Sequence, residues 1–282
     1  MTAPILLIRA FDNEEDAAAL ASLGLATVID PYLTIQPVPG QAGLEAAGRL
    51  LAKLGLLQRG DWLIATSLNG LRSWGTLAWE LTRKSAVADA MAEARQRGVR
   101  FAAIGSATAA KFAEFGIHDV FVPSEPYGEA LAQQLVAEAA PEAAILGRPI
   151  RALVPAGNLA MKTLYQGLAA AGWQVASEVV YETAIIPSKP ASAARVAAGK
   201  FTAVLLRSPS AARALVHWVA EGTAVLPEGL AKLPAVCGGR TTAQVAESLG
   251  LRVAAIAGDT QPLTIANTLK EVVQADTNQG GR

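Results

Sequence analysis

The sequence is poor in the residues that most chemistry uses. Cys237 is its only cysteine, so no disulfide can form within the chain, and a reducing compartment fits. His118 and His217 are the only histidines; neither has metal-ligand or triad spacing, which argues against metal and Ser-His-Asp sites. Aromatic residues make up only 5%. Net charge is zero, with 24 basic and 24 acidic residues, so the basic excess that nucleic acid or an anionic membrane surface demands is missing. No apolar run approaches a membrane span of about 18 residues. Ile5 to Ile8 is too short, and wrongly flanked by Arg9, for a signal peptide. There is no G-x-G-x-x-G and no G-x-x-x-x-G-K-[ST], so the dinucleotide and P-loop readings lack their fingerprint. The expectation is a soluble cytoplasmic protein that takes a small ligand.

What the chain has is a long internal repeat. Ala103-Ile104-Gly105-Ser106-Ala107-Thr108-Ala109 closes at Phe115-Gly116-Ile117, and Gly238-Gly239-Arg240-Thr241-Thr242-Ala243 closes at Leu249-Gly250-Leu251. Gly105, Thr108 and Gly116 each recur as the same residue type 134 positions later. In both copies an apolar strand ends in glycine and a helical pattern starts at Thr-Ala. A period this long exceeds any solenoid unit, about 20–50 residues, and implies a duplicated α/β domain. At 282 residues the chain exceeds the common single-domain size, and the apolar fraction of 52% is enough for two cores.

The repeat extends further. Arg151 to Pro155 has the character of Leu6 to Ala10, and Trp173 to Tyr181 that of Ala26 to Tyr32. Ala203 to Ser208 matches Leu63 to Ser67. Gly157-Asn158 is read as a helix start, and helices are expected over 69–82, 127–140 and 262–273, with a strand at 120–122. Strands alternating with helices at this spacing predict parallel sheets covered on both faces. Two proline-marked crossings, at 32–37 and 180–187, read as extended segments able to pair into a ribbon. That places residues 1–36 and 188–275 in one discontinuous domain and 40–182 in the other, with linker strands at 32–40 and 180–188. Residues 276–282, polar and glycine-rich, read as a disordered tail. A single linker near Arg148-Pro149 is the competing division.

Ligands of parallel sheets bind beyond the carboxyl ends of the strands. The strand-end loops here are Arg9-Ala10, Ser67-Leu68-Asn69, Gly105-Ser106, Pro155 to Asn158, Ser208-Pro209-Ser210 and Gly239-Arg240-Thr241. They are small, hydroxylic or glycine-rich and several lead into helices, whose free N–H groups and dipole suit an anion. Taken singly, such residues are ordinary N-caps and turns. Six loops in two matching sets point instead to a wide anion-binding cleft between domains. Arg9, Arg72, Lys162, Arg207, Arg213 and Arg240 fall near these loops and can meet carboxylates; Arg240, inside the repeated motif, is the best single choice. Cys237 reads as a buried small residue. His217 reads as packed beside Trp218. Tyr181, at a strand end where a crossing starts, either packs the crossing or presents its phenol to a ligand.

These motifs, in this order and spacing, resemble the uroporphyrinogen-III synthase family over nearly the whole chain. The resemblance rests on Gly105 to Ala109, Pro155 to Leu159, Val180-Tyr181-Glu182-Thr183, Ser208 to Ala211 and Gly239 to Ala243. It implies two similar flavodoxin-like α/β domains joined by a two-stranded β-ribbon. It also implies a cofactor-independent, metal-free lyase that cyclises linear hydroxymethylbilane to uroporphyrinogen III, losing water and inverting ring D. Tyr181 is then the residue that assists departure of the hydroxyl. Arg9, Ser67, Gly105, Ser106, Thr108, Gly157, Asn158, Ser208, Ser210, Gly239, Arg240, Thr241 and Thr242 are the implied substrate contacts. A monomer, in transient contact with the preceding enzyme, hydroxymethylbilane synthase, is expected. Two motifs depart from the family pattern: Ser67-Leu68-Asn69-Gly70 lacks the Pro of Ser-Pro-x-Ala, and Ile8-Arg9-Ala10 lacks Thr-Arg-Pro. A two-lobed binding protein for a polyanionic metabolite is the rival reading. A dehydrogenase-like nucleotide enzyme, without its fingerprint, comes third.

Overall fold

The computed structural model describes residues 3–159, 162–223 and 225–279. The chain starts with β1 (Ile5–Leu7), α1 (Asn13–Ser22), β2 (Thr27–Ile29) and β3 (Leu33–Pro37). Then come α2 (Gly40–Leu56), β4 (Trp62–Ala65), α3 (Leu68–Thr82), α4 (Ala86–Gln96), β5 (Arg100–Ala103), α5 (Ser106–Glu114) and α6 (Gly128–Leu146). β6 (Arg151–Gly157), α7 (Lys162–Ala170) and the long β7 (Gln174–Ile185) follow. The remainder is α8 (Ala193–Ala197), β8 (Ala203–Leu206), α9 (Pro209–Ala220), α10 (Glu228–Lys232), β9 (Ala235–Cys237), α11 (Arg240–Ser248), β10 (Val253–Ile256) and α12 (Pro262–Gln279).

Residue contacts divide the chain into two compact units. The first holds the residues before Ile35 and those after Thr183; the second runs from Ile35 to Thr183. In the first, β1 is hydrogen-bonded in parallel to both β2 and β8, and the strand order is β10-β9-β8-β1-β2. In the second the order is β3-β7-β6-β4-β5, with β4, β5, β6 and β7 parallel. The sequence repeat is visible in these orders. Aligning Gly105 with Gly239 equates β5 with β9, β4 with β8, β6 with β1 and β7 with β2, and both sheets then read in the same order. The expected strand at 120–122 is reduced to one parallel bridge, Ala102 to Phe121. It occupies the place β10 holds beside β9.

Strands β1, β4, β8 and β9 are buried along their whole length, which is why they read as unbroken apolar runs; β2, β3, β7 and β10 are only partly buried. Helices α2 to α5 cover one face of the second sheet around Leu50, Leu63, Trp74, Met91 and Phe112. Helices α6 and α7 cover the other around Trp62, Ile64, Leu131, Leu164 and Trp173. In the first unit, α9 and α11 pack with the Leu206, Leu215 and Cys237 cluster, and α1 and α12 with Leu7, Leu20 and Leu269.

Two further expectations are corrected. Helix α6 continues past Pro141 to Leu146 and does not end at Ala140; Glu142, just beyond the proline, pairs with Arg59 at 3.2 Å. Residues 276–279 form the last turn of α12, not a disordered tail, and Asp276 pairs with Arg252 at 2.8 Å. Residues 280–282 lie outside the described residues. No helix of the described chain is long and apolar enough to cross a membrane.

Candidate active site

In each unit the strand order reverses at one point. In the second unit it falls between β4 and β6, and in the first between β1 and β8. Neighbouring strands there send their connections to opposite faces, and a crevice opens at their carboxyl ends. The sequence-predicted residues sit at these ends. In the second unit Gly157, Ser67 and Gly105 terminate or follow β6, β4 and β5, whereas Tyr181 lies inside β7, which continues to Ile185, and not at a strand end as its sequence suggested; the four strands are neighbours in one sheet. In the first, Arg9, Ser208 and Gly239 follow β1, β8 and β9 in the same way.

The helix starts are of two kinds. Ser67 caps α3, its Oγ accepting the Asn69 N–H at 3.1 Å. Ser208 caps α9, its Oγ accepting the Ala211 N–H at 3.2 Å. Ser67 thus performs the cap without the following proline that Ser208 has. Gly70 fits because a Cβ there would lie 2.4 Å from the Pro155 carbonyl oxygen. By contrast, α5 and α11 have no side-chain cap. They begin at Ser106 and Arg240, two residues before the expected Thr-Ala start. Their N-cap glycines are extended, with φ −172° at Gly105 and 175° at Gly239, so backbone strain does not require glycine. A Cβ on Gly239 would meet nothing within 4 Å. What the missing side chains do is leave the first-turn N–H groups uncovered, an arrangement that suits an anion. Thr108 and Thr242 are third residues of their helices and not caps. Both are buried, and neither hydroxyl makes a hydrogen bond among the described residues. Ser106, Arg240 and Thr241 are exposed, and Arg240 has no ion pair among the described residues.

Tyr181 owes its direction to a bulge. Ala156 pairs with Val179 and Gly157 with Tyr181, leaving Val180 without a partner on β6. Strict alternation would turn Val180 and Tyr181 to opposite faces; the bulge instead lets both pack with the α2–α5 cluster. The Tyr181 ring then lies over Gly157, where a Cβ would stand 2.4 Å from Cζ and 2.8 Å from Oη. Asn158 follows. Its N–H donates to the Tyr181 carbonyl at 3.1 Å. Its side chain accepts the Thr183 N–H at 3.0 Å and donates to the Thr183 carbonyl at 3.3 Å. Asn158 therefore does not start a helix, as its sequence suggested: α7 begins at Lys162, and residues 160 and 161 lie outside the described residues.

Sequence reasoning missed an ion cluster in the first unit. Arg207 Nη1 donates to Asp16 Oδ1 at 2.9 Å and its Nη2 to the Thr260 carbonyl at 2.9 Å. Arg9 Nη1 stands 3.9 Å from Asp16 Oδ2 and Nη2 3.6 Å from Asp12. Asn13 clasps the Arg9 backbone through both side-chain atoms, at 3.2 and 2.9 Å. Burial raises the Asp16 carboxyl pKa against the opposing pull of Arg207 and Arg9, and burial lowers that of Arg207. Arg9 and Arg207 thus enter the crevice already shared with acids. The only signal in the sequence was an acidic first turn beside a strand-end arginine.

Other expectations resolve simply. Cys237 is buried, and burial pushes its thiol up to about 11. His217 meets Trp218 edge-on at 4.9 Å. Arg72, Lys162 and Arg213 are exposed, and Ser210 is half-buried in the first turn of α9. A groove of about 700 Å³ between α6 and α7, lined by Glu129, Gln133, Thr163 and Gln166, includes none of the strand-end residues.

The family model described as Uroporphyrinogen-III synthase HemD matches residues 14–262, most of the chain. The chain belongs to this family. Its fold is similar to that of a mutant uroporphyrinogen III synthase from the extremely thermophilic bacterium Thermus thermophilus, with a TM-score of 0.59 and 17% identity over 97% of this chain and 100% of that one. It is also similar to uroporphyrinogen-III synthetase from Helicobacter pylori, with a TM-score of 0.57 and 14% identity over 96% and 100%. A comparison with curated proteins gives no match. At such identities the structures speak for the fold, and the family match assigns the chain. Within the uroporphyrinogen-III synthase family, then, this chain presents a serine-capped helix start after β4 and β8 and a glycine-led, uncapped one after β5 and β9.

Proposed function

We propose a division of labour among these residues for the reaction of the family. The chain is a uroporphyrinogen-III synthase: it closes linear hydroxymethylbilane to uroporphyrinogen III, losing water and inverting ring D, in tetrapyrrole biosynthesis. The observation that carries this assignment is the family match over residues 14–262. The substrate carries eight carboxylates. The uncapped starts of α5 and α11 suit such groups, each anion–helix contact adding about 0.3–1 kcal/mol, more where partly buried. In this reading Gly105, Ser106 and Thr108, and Gly239, Arg240, Thr241 and Thr242, receive acetate and propionate groups. Ser67, Ser208 and Ser210 shape the neighbouring loops as N-cap and first-turn residues. Arg9 offers a guanidinium that Asp12 and Asp16 hold in place.

Tyr181 supplies the acid that helps the hydroxyl leave as water. Its phenol makes no hydrogen bond among the described residues, so its proton is uncommitted. The bilane closes unaided to the symmetrical isomer, so much of the enzyme's work is holding the chain for attack at the substituted carbon of ring D. We further propose that 32–40 and 180–188 are ribbon strands joining a domain of 1–36 and 188–275 to one of 40–182. Two backbone bonds support the pairing, from Val38 to Val180 and from Ile186 to Tyr32, whose partners run in opposite senses. A monomer acting in the cytoplasm, in passing contact with hydroxymethylbilane synthase, completes the proposal.

The test is to incubate the protein with freshly generated hydroxymethylbilane and chromatograph the oxidised porphyrins. Isomer III in excess of the blank is expected. Isomer I alone would leave only binding of a polyanionic metabolite without chemistry.

A further inference from the structure

Where β6 ends, β7 runs on. Gly157 is the last residue of β6, yet β7 continues to Ile185, so the backbone of residues 182–185 has lost its parallel partner on that side. The Asn158 side chain takes the vacated place. Its amide presents one acceptor and one donor with the spacing of a peptide group, and these meet the Thr183 N–H and carbonyl. Together with the bond from the Asn158 N–H to the Tyr181 carbonyl, they fix the backbone on both sides of Glu182. Glu182 is itself tied to Gln36 at 2.8 Å. Tyr181 is therefore held at its own carbonyl and two residues onward, just past the bulge that turns it.

The ring is held from below as well. It rests on Gly157 at a distance no other residue permits, since any Cβ would overlap Cζ, Cε2 and Oη. Gly157 has no side chain to offer a substrate, and Asn158 has committed its acceptor and one of its two N–H donors to Thr183. We infer that Gly157 and Asn158 are positioning residues that set the Tyr181 phenol, not contacts for the substrate's carboxylates. This rests on the reading of Tyr181 as the acid. Displacing a catalytic group by about 1 Å can cost 10²-fold in rate, so three hydrogen bonds and one glycine are a sufficient device.

The experiment is a cycle of Asn158→Ala, Tyr181→Phe and the double variant, assayed for isomer III formation with kcat and KM separated. Asn158 is exposed, so the variant is expected to fold, and thermal unfolding confirms it. Asn158→Ala is expected to lower kcat by about 10- to 10²-fold and leave KM nearly unchanged. In the Tyr181→Phe background it is expected to have no further effect, because residues acting as a unit are not additive. A drop of the same size in both backgrounds, or a change in KM alone, overturns the inference in favour of direct substrate contact. A second readout does not depend on activity. The chain has four tyrosines; ring-labelled with ¹³C, the Tyr181 signal is identified by its loss in Tyr181→Phe. It should shift or broaden in Asn158→Ala. If Tyr181→Phe itself leaves the rate intact, the acid reading falls, and the signal alone decides positioning: an unmoved line overturns it.

Discussion

Gly157 and Tyr181 face each other across the β6–β7 pair, so close that a Cβ on Gly157 would lie 2.4 Å from Tyr181 Cζ. The glycine is required by a neighbour's ring, not by its backbone angles.

Gly157→Ala must push the ring aside or shift the strand end. Overpacking of this kind costs about 1–3 kcal/mol, and the displaced phenol should lower kcat by up to about 10²-fold. Thermal unfolding and isomer III formation measure the two. Activity per folded molecule equal to wild type would show that the ring's place does not matter.

Tyr181→Phe removes one oxygen that has no hydrogen-bond partner among the described residues, so folding stability should hardly change. If the phenol is the general acid, the rate of isomer III formation should fall on the order of 10²–10⁴-fold. An unchanged rate with intact fold would end that assignment.

Thr108→Val and Thr242→Val test the uncapped helices. Both threonines are buried without a hydroxyl hydrogen bond, so valine, nearly the same shape, removes no intramolecular bond. A hydroxyl that bonds a substrate carboxylate is worth about 1.5–3 kcal/mol, so KM should rise roughly 10- to 100-fold with the unfolding midpoint unmoved. Loss of stability with normal KM would make these threonines structural.

Asp61 governs the acid side of the second unit's stability. Burial pushes its carboxyl up, but hydrogen bonds from Arg151, Arg148 and the N–H groups of Gln58 and Arg151 outweigh this and hold it below 3.8. A lowered pKa stabilises the fold above the unfolded value and is lost as pH falls through the folded one. Stability should therefore decline below about pH 3.8 in the wild type and more weakly in Asp61→Asn. At neutral pH the variant should lose roughly 3 kcal/mol, the low end for a broken buried pair, since Arg148 and Arg151 stay partly hydrated. Denaturant titration at several pH values would expose a flat difference, contrary to this expectation.

Much of the fold was legible because its signals are local or periodic. Apolar runs ending in Ser67, Gly105, Ser208 and Gly239 mark parallel strands entering helices, and the 134-residue offset between Gly105 and Gly239 marks the duplication. What was illegible depends on contacts distant in sequence. Pro141 reads as a helix end, yet α6 runs on to Leu146. Asp16 reads as a first-turn acid, yet it meets Arg207 across 191 positions. Gly157-Asn158 reads as a helix start, although its amide is spent on Thr183.

The sequence by itself determined the α/β class, the repeat and the set of residues at the strand ends, because hydrophobic periodicity and turn chemistry act within a few residues. Only the tertiary structure decided what each residue does there. Ser67 and Ser208 close their helix starts, Gly105 and Gly239 leave theirs open, and a bulge at Val180 turns Tyr181 over Gly157. Caps, bulges and ring contacts are settled by geometry between strands, to within an ångström, and spacing along one chain does not encode it.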